Sequence, residues 1–215
     1  MSAYKLAIFD WDGTLMDSVA HIVDSMQQAA YAVGEPVPAS AEVRHIIGLG
    51  LPEAIAQLFP HAKPHTHEAI RQQYAQHFLA HSASRSQLFA GAEALLAQLR
   101  QQGYLLAIAT GKSRLGLNRV LAQTGIGHYF VATRCADETA SKPDPQMLKE
   151  LLAYTGVSVD QAVMIGDTSY DLGMAQTLSM PRIGVSYGVH GVEVLQTYQP
   201  LAIVDSLYQL HDYLW

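Results

Sequence analysis

The chain has 215 residues, 49% of them hydrophobic and 15% charged, which suits one large domain, or one domain carrying an insertion, and excludes disorder over most of its length. Lys+Arg number 13 against 19 Asp+Glu, for a net charge of −6. That balance argues against nucleic acid or an anionic membrane surface as the main partner, but not against a small anion held by local cations, helix N-termini or a bound metal.

Cys135 is the sole cysteine, so no internal disulfide is possible and a cytoplasmic location is expected. Residues 1–9 do not read as a secretory signal, and no segment approaches the roughly 18 apolar residues of a membrane span.

Short apolar runs alternate with amphipathic stretches, the pattern of a parallel sheet wrapped by helices. Buried strands are predicted at 5–9, 105–109, 129–132, 162–165 and 182–185, with a possible edge strand at 201–204. Helices are predicted at 113–124, starting on a Ser and stopping at Gly125, and at 145–155, with Pro145 in the first turn and Gly156 past the end. The interval from Asp10 to Leu105 breaks this rhythm and contains no convincing strand. Its helices are predicted at 17–33, 40–47, 52–59, 64–81 and 91–102. Residues 17–85 therefore read as an inserted helical cap, and residues 1–16 with 86–215 as an α/β core, a Rossmann-like parallel sheet between helices. Hinges fall near 16–18 and 84–90.

Ligands of open α/β sheets bind beyond the carboxyl ends of the strands, and four motifs stand there. The first strand runs into Asp10-Trp11-Asp12-Gly13-Thr14. Alone, this would also suit a turn with Gly13 as its permissive residue, yet two carboxylates at a sheet end lose hydration and call for a compensating cation. Thr110-Gly111-Lys112-Ser113 ends the second strand with a hydroxyl, a bare backbone amide and a helix start, a set able to hold phosphate oxygens. Lys142 precedes Pro143-Asp144-Pro145. Gly166-Asp167-Thr168-Ser169-Tyr170-Asp171 then supplies two more carboxylates, of which helix capping explains one more easily than both.

This set, in this order, resembles the haloacid dehalogenase superfamily of phosphohydrolases, whose signatures are D-x-D-G-T, a Ser/Thr ending strand two, a Lys before the next helix, and G-D-x-x-x-D. The helical insertion is similar to the cap of the subgroup that contains phosphoglycolate phosphatases and β-phosphoglucomutases. The resemblance implies that Asp10 is a nucleophile forming an aspartyl-phosphate and that Asp12 is the general acid and base. It also implies that Thr110, Gly111 and Lys142 hold the phosphate. Asp10, the Asp12 backbone carbonyl and Asp167 would bind Mg²⁺, with Asp171 supporting the metal or orienting Lys142. An oxygen-only donor set suits Mg²⁺ better than Zn²⁺.

The expected activity is hydrolysis of a small phosphomonoester, phosphoglycolate-like or a sugar phosphate. A sugar-phosphate mutase using the same intermediate is the alternative, and a non-catalytic phosphate-binding module a third. The partner is a small phosphorylated metabolite, with no nucleic acid or membrane, and the chain is expected as a monomer or weak homodimer. Trp11 is expected to pack in the core. Gly111 stands where many phosphoglycolate phosphatases carry Asn. Gly48-Leu49-Gly50-Leu51 is similar to their cap loop, and Arg44, Gly48 and Lys112 are candidate substrate contacts. Among the cap histidines only His77 and His81 have i,i+4 spacing within a predicted helix, and a solvated surface accounts for them better than a metal.

Overall fold

The computed structural model describes residues 4–214; the side chains of residues 81–85 lie outside the description, and with them His81 and the start of the expected 84–90 hinge. In chain order the elements begin with β1 (Leu6–Phe9) and a two-residue β2 (Met16–Asp17). Four helices follow, α1 (Val19–Val33), α2 (Ser40–Ile46), α3 (Leu51–Leu58) and α4 (Pro64–Arg85), then β3 (Gln87–Leu88) and α5 (Ala92–Gln101). The chain continues through β4 (Leu105–Thr110), α6 (Arg114–Thr124), β5 (Ala132–Cys135), α7 (Gln146–Thr155), β6 (Ala162–Gly166) and α8 (Ser169–Thr177). It closes with β7 (Arg182–Val185), α9 (Val192–Gln196), β8 (Ala202–Val204) and α10 (His211–Leu214).

Six strands form one sheet in the order β5-β4-β1-β6-β7-β8, every neighbouring pair parallel. This is the parallel α/β sheet flanked by helices that the sequence pattern predicts. Strand β1 lies between β4 and β6, with Phe9 opposite both Ile108 and Ile165, so its apolar run is buried on both faces. Alternate residues divide between two clusters. Phe9, Ile108 and Ile165 pack under Leu96 and Leu99 of α5 and Leu117 of α6, while Ile8, Ala107 and Met164 pack under Leu148 of α7 and Met174 of α8. A third cluster, built on Ile22, Met26, Val43, Ile55 and Ile70, holds α1–α4 together.

Helix boundaries follow local chemistry. Gly34 ends α1 in the left-handed region at φ 78°, its N–H reaching the Ala30 and Tyr31 carbonyls, and the Ser113 hydroxyl starts α6 by accepting from the Gly116 N–H.

Two expectations are corrected. The third sheet strand is not at 129–132 but at Ala132–Cys135, because Ile126–Tyr129 forms a 3-10 turn. Strand β5 stands at the sheet edge, where half-exposed Thr133 and Arg134 replace the apolar run that marks an interior strand. The interval between Asp10 and Leu105 also does contain strands: β2 and β3 pair antiparallel, Met16 with Leu88 and Asp17 with Gln87. Two residues each are too few to show a period. This ribbon lies where the chain leaves the sheet for α1–α4 and returns.

No helix among the described residues is long and apolar enough to cross a membrane. Cys135 is buried and its thiol pushed up to about 12, first by burial, which keeps it neutral and unreactive.

Candidate active site

The carboxyl ends of three neighbouring strands converge on one point. Asp10 follows β1, its N–H donating to the Ile165 carbonyl at 2.9 Å; Thr110 ends β4; Asp167 follows β6. Lys142, from the connection between β5 and α7, is fully buried and places its ammonium 2.5 Å from an Asp10 oxygen and 2.6 Å from an Asp171 oxygen. The four sequence motifs are thus brought together, with Lys142 bridging the first and the last of them.

Asp10, Asp167 and Asp171 each bring a carboxylate oxygen within 4.8 Å of the others. Burial raises the pKa of Asp10 to about 7; Lys142 opposes this and the Asp171 and Asp12 charges add to it. Asp167 is also raised, first by burial and then by Asp10 and Asp171, although the Thr14 hydroxyl (2.9 Å) and the Val189 N–H (2.8 Å) donate to it. Asp171 has less freedom: one oxygen holds Lys142, and the other accepts from the Thr168 N–H and hydroxyl in a capping box.

Three buried carboxylates face one ammonium, so the cluster is short of positive charge. Its oxygen-only donor set fits a hard divalent cation such as Mg²⁺. The approach is close enough to specify residue types. Gly13 has φ +89°, and a Cβ there would lie 2.2 Å from an Asp167 oxygen.

Asp12 stands apart. Its carboxylate accepts from the Lys112 ammonium at 2.9 Å and the Ser18 hydroxyl at 2.6 Å. Lys112 in turn lies 5.0 Å from the centre of the Phe78 ring of α4. Trp11, between the two aspartates, is fully buried in the sheet core as expected, and its indole N–H has no partner among the described residues.

The α1–α4 unit meets the sheet over this point. The Gly50 N–H donates to the Ser141 hydroxyl beside Lys142 (2.8 Å), and the Tyr170 hydroxyl donates to the His45 carbonyl (2.8 Å). Arg44 donates to the Gly188 carbonyl at 3.3 Å and is not on the cavity wall; Gly48 and Lys112 are. A Cβ at Gly111 would lie 2.5 Å from the carbonyl oxygens of both Gly48 and Leu49. The absent side chain therefore leaves the space in which the Gly48–Leu49 loop rests on the Thr110–Lys112 turn. Gly111→Ala is expected to hold that loop off and lower kcat/KM by roughly tenfold or more, the scale of a local overpacking cost of ~1–3 kcal/mol. An unchanged kcat/KM would show that the contact is dispensable.

A cavity of about 380 Å³ opens between the two parts, with Asp10 and Asp12 on its wall. Thr110, Lys142, Asp167 and Asp171 lie behind them, buried. A second cavity of about 520 Å³, beside Ser18, Gln87 and Leu88, touches Asp12 and Lys112 but not Asp10.

Several of these partners carry no signal in the sequence. Val189 acts through its backbone, Ser18 through the path of the β2 strand, and Phe78 through the packing of a helix that only the fold brings beside Lys112. Thr14 was within reach, as the last residue of D-x-D-G-T.

The parallel sheet thus carries a cluster of buried carboxylates and a lysine at its carboxyl edge. The chain belongs to the haloacid dehalogenase-like hydrolases, whose family model matches residues 7–185. It is 31% identical to a phosphoglycolate phosphatase of Vibrio cholerae over 96% of this chain and 95% of that protein. It is 34% identical to a protein of Dickeya dadantii named probable phosphatase IndB, over 94% of this chain and 89% of that one. Among solved structures, a predicted phosphatase from Clostridium acetobutylicum superposes with a TM-score of 0.86 at 27% identity, covering 98% of each chain.

Proposed function

We propose that the chain is a Mg²⁺-dependent phosphatase that hydrolyses a small phosphomonoester through an aspartyl-phosphate on Asp10, with α1–α4 as a cap over the site. The observation that carries this reading is the position of Asp10: buried, ion-paired with Lys142, grouped with two further carboxylates, and on the wall of the cavity.

An Asp10 oxygen attacks phosphorus as the P–O bond to the alcohol breaks, and Asp12 gives its proton to the departing oxygen. Water then attacks phosphorus, Asp12 takes its proton, and inorganic phosphate leaves with Asp10 restored. Lys142 and the Thr110–Gly111 turn balance charge on the phosphoryl oxygens. Asp12 needs a proton for the first step, and its carboxylate is engaged in an ion pair with Lys112. Transfer of Lys112 from Asp12 to the incoming phosphate answers this, since the move supplies a cation to the substrate and releases the Asp12 carboxylate to face the leaving oxygen.

Asp10, Asp167 and the Asp12 carbonyl would hold Mg²⁺, with Asp171 behind Lys142. The ion supplies Lewis-acid polarisation of the phosphoryl group and neutralises the carboxylate cluster. Exhaustive chelation is expected to lower turnover at least about 100-fold, because such charge stabilisation is worth several kcal/mol. Added Mg²⁺ should restore turnover and raise the melting temperature. Activity unchanged in chelator would sink the metal assignment.

A further inference from the structure

The cavity that reaches Asp10 is charged at its catalytic end and carries a largely apolar wall on the α1–α4 side. Its cap-side wall is made by Ile22 and Met26 of α1, Tyr74 and Phe78 of α4, and Leu49 and Leu51 of the cap loop and α3 start. Burial first, and the Asp12 charge second, keep the Tyr74 phenol protonated, so this wall adds no charge.

Among the described residues three cations line the cavity, and two are already engaged. Lys112 is paired with Asp12, and Arg71 is held by Glu68 through two hydrogen bonds of 2.8 and 2.6 Å. Arg119 is the third, and two acids, Glu53 and Asp137, share the wall with it. A second anionic group on the substrate would therefore enter a region with no excess of positive charge. A polyhydroxylated ring would fare no better along the Ile22–Phe78 wall, since each hydroxyl buried against those apolar side chains without a partner costs free energy.

We infer that the preferred phosphomonoester carries a small, uncharged, apolar alcohol. This rests on the phosphatase reading above and narrows its substrate class away from a carboxylate-bearing or sugar alcohol. Size agrees: about 380 Å³ is at the low end of ligand sites, which span ~300–1,000 Å³. The phosphate would sit at Asp10 and the alcohol along the Ile22–Phe78 wall, where area removed from water supplies the binding energy. Binding energy of this kind favours the longer apolar alcohol by a discriminating factor for each added methylene.

The test compares kcat/KM of the full chain with Mg²⁺ on n-hexyl phosphate, phosphoglycolate and glucose 6-phosphate, all primary alkyl esters, with p-nitrophenyl phosphate as a control of general activity. Hexyl phosphate is expected at least about tenfold ahead of both others, within the range that a few methylenes discriminate. A smaller ratio, or either polar ester ahead, overturns the inference, as does turnover of p-nitrophenyl phosphate alone. If all four are inert, the phosphatase reading itself falls, and the inference with it. Leu51→Arg, at a half-buried position that begins α3, adds a cation to the wall. It is expected to move the hexyl-to-phosphoglycolate ratio about tenfold toward phosphoglycolate; an unmoved ratio in a variant with unchanged circular dichroism overturns the inference.

Discussion

Asp10→Asn is expected to lower phosphatase turnover on the order of 10⁴-fold or more, the scale of nucleophile removal, while the metal-free protein becomes more heat-stable than wild type. The two effects have one cause. Asp10 lies among buried carboxylates, and burial, then its neighbours' charges against the pull of Lys142, raises its pKa from 3.8 to about 7. An acid whose folded pKa is raised holds a proton that the unfolded chain gives up, so stability is lost as pH rises from about 4 through about 7. Asn carries no charge to lose hydration, and its side-chain oxygen still accepts from Lys142.

The gain in melting temperature should therefore be largest above neutrality without divalent cation and shrink toward acid pH. Mg²⁺ should stabilise the variant less than the wild type, because one ligand has lost its charge. Turnover within about tenfold of wild type in a folded variant would place the nucleophile elsewhere. A variant less stable than wild type in chelator would mean that the Asp10–Lys142 pair outweighs the burial of the charge.

The four motifs were legible because they consist of residue types that strands and helix starts rarely need in that combination. The sheet was legible where strands are interior, as at β1 and β6, whose residues are all buried. It was misread at β5, where the edge position allows Thr133 and Arg134 and the preceding Tyr129 and Phe130 imitate a strand. The two-residue β2–β3 ribbon leaves no pattern at all.

The relation between the α1–α4 unit and the sheet was the least legible part. It depends on backbone groups, the Gly48 and Leu49 carbonyls over Gly111 and the Gly50 N–H on Ser141, and backbone groups are the same for every sequence. Even so, Gly111 could be noticed as a departure, and the structure supplies a steric reason for it. The pairing of Lys112 with Asp12 was hidden differently: both residues were singled out, but nothing in their spacing of a hundred positions links them.

Lys142→Met tests this bridge. Lys142 is enclosed, with Asp10 at 2.5 Å and Asp171 at 2.6 Å. Burial opposes its charge, yet the two carboxylates hold its pKa above the ordinary lysine value. Met keeps most of the side-chain volume and removes the ammonium, leaving Asp10, Asp167 and Asp171 with no buried cation. Breaking a buried pair from one side costs ~3–5 kcal/mol, more than the pair itself contributes, because the stranded charge remains. At neutral pH without divalent cation the variant is therefore expected to unfold in urea with a stability lower by about that amount.

Its turnover should fall roughly 10²–10³-fold, as for loss of one group that meets developing charge. The sign with pH discriminates this mechanism from a packing defect. Without Lys142 the carboxylates hold their protons more tightly in the folded state, so the deficit should shrink as pH falls from about 7 toward about 4. A cavity would cost the same at both ends. Adding Asp171→Asn, which keeps an acceptor for Thr168 and removes a second charge, should recover part of the lost stability, so the two substitutions are expected to be non-additive in the stabilising direction. Additive losses, or a deficit independent of pH, would show that Lys142 fills space rather than balancing the charge on which the site depends.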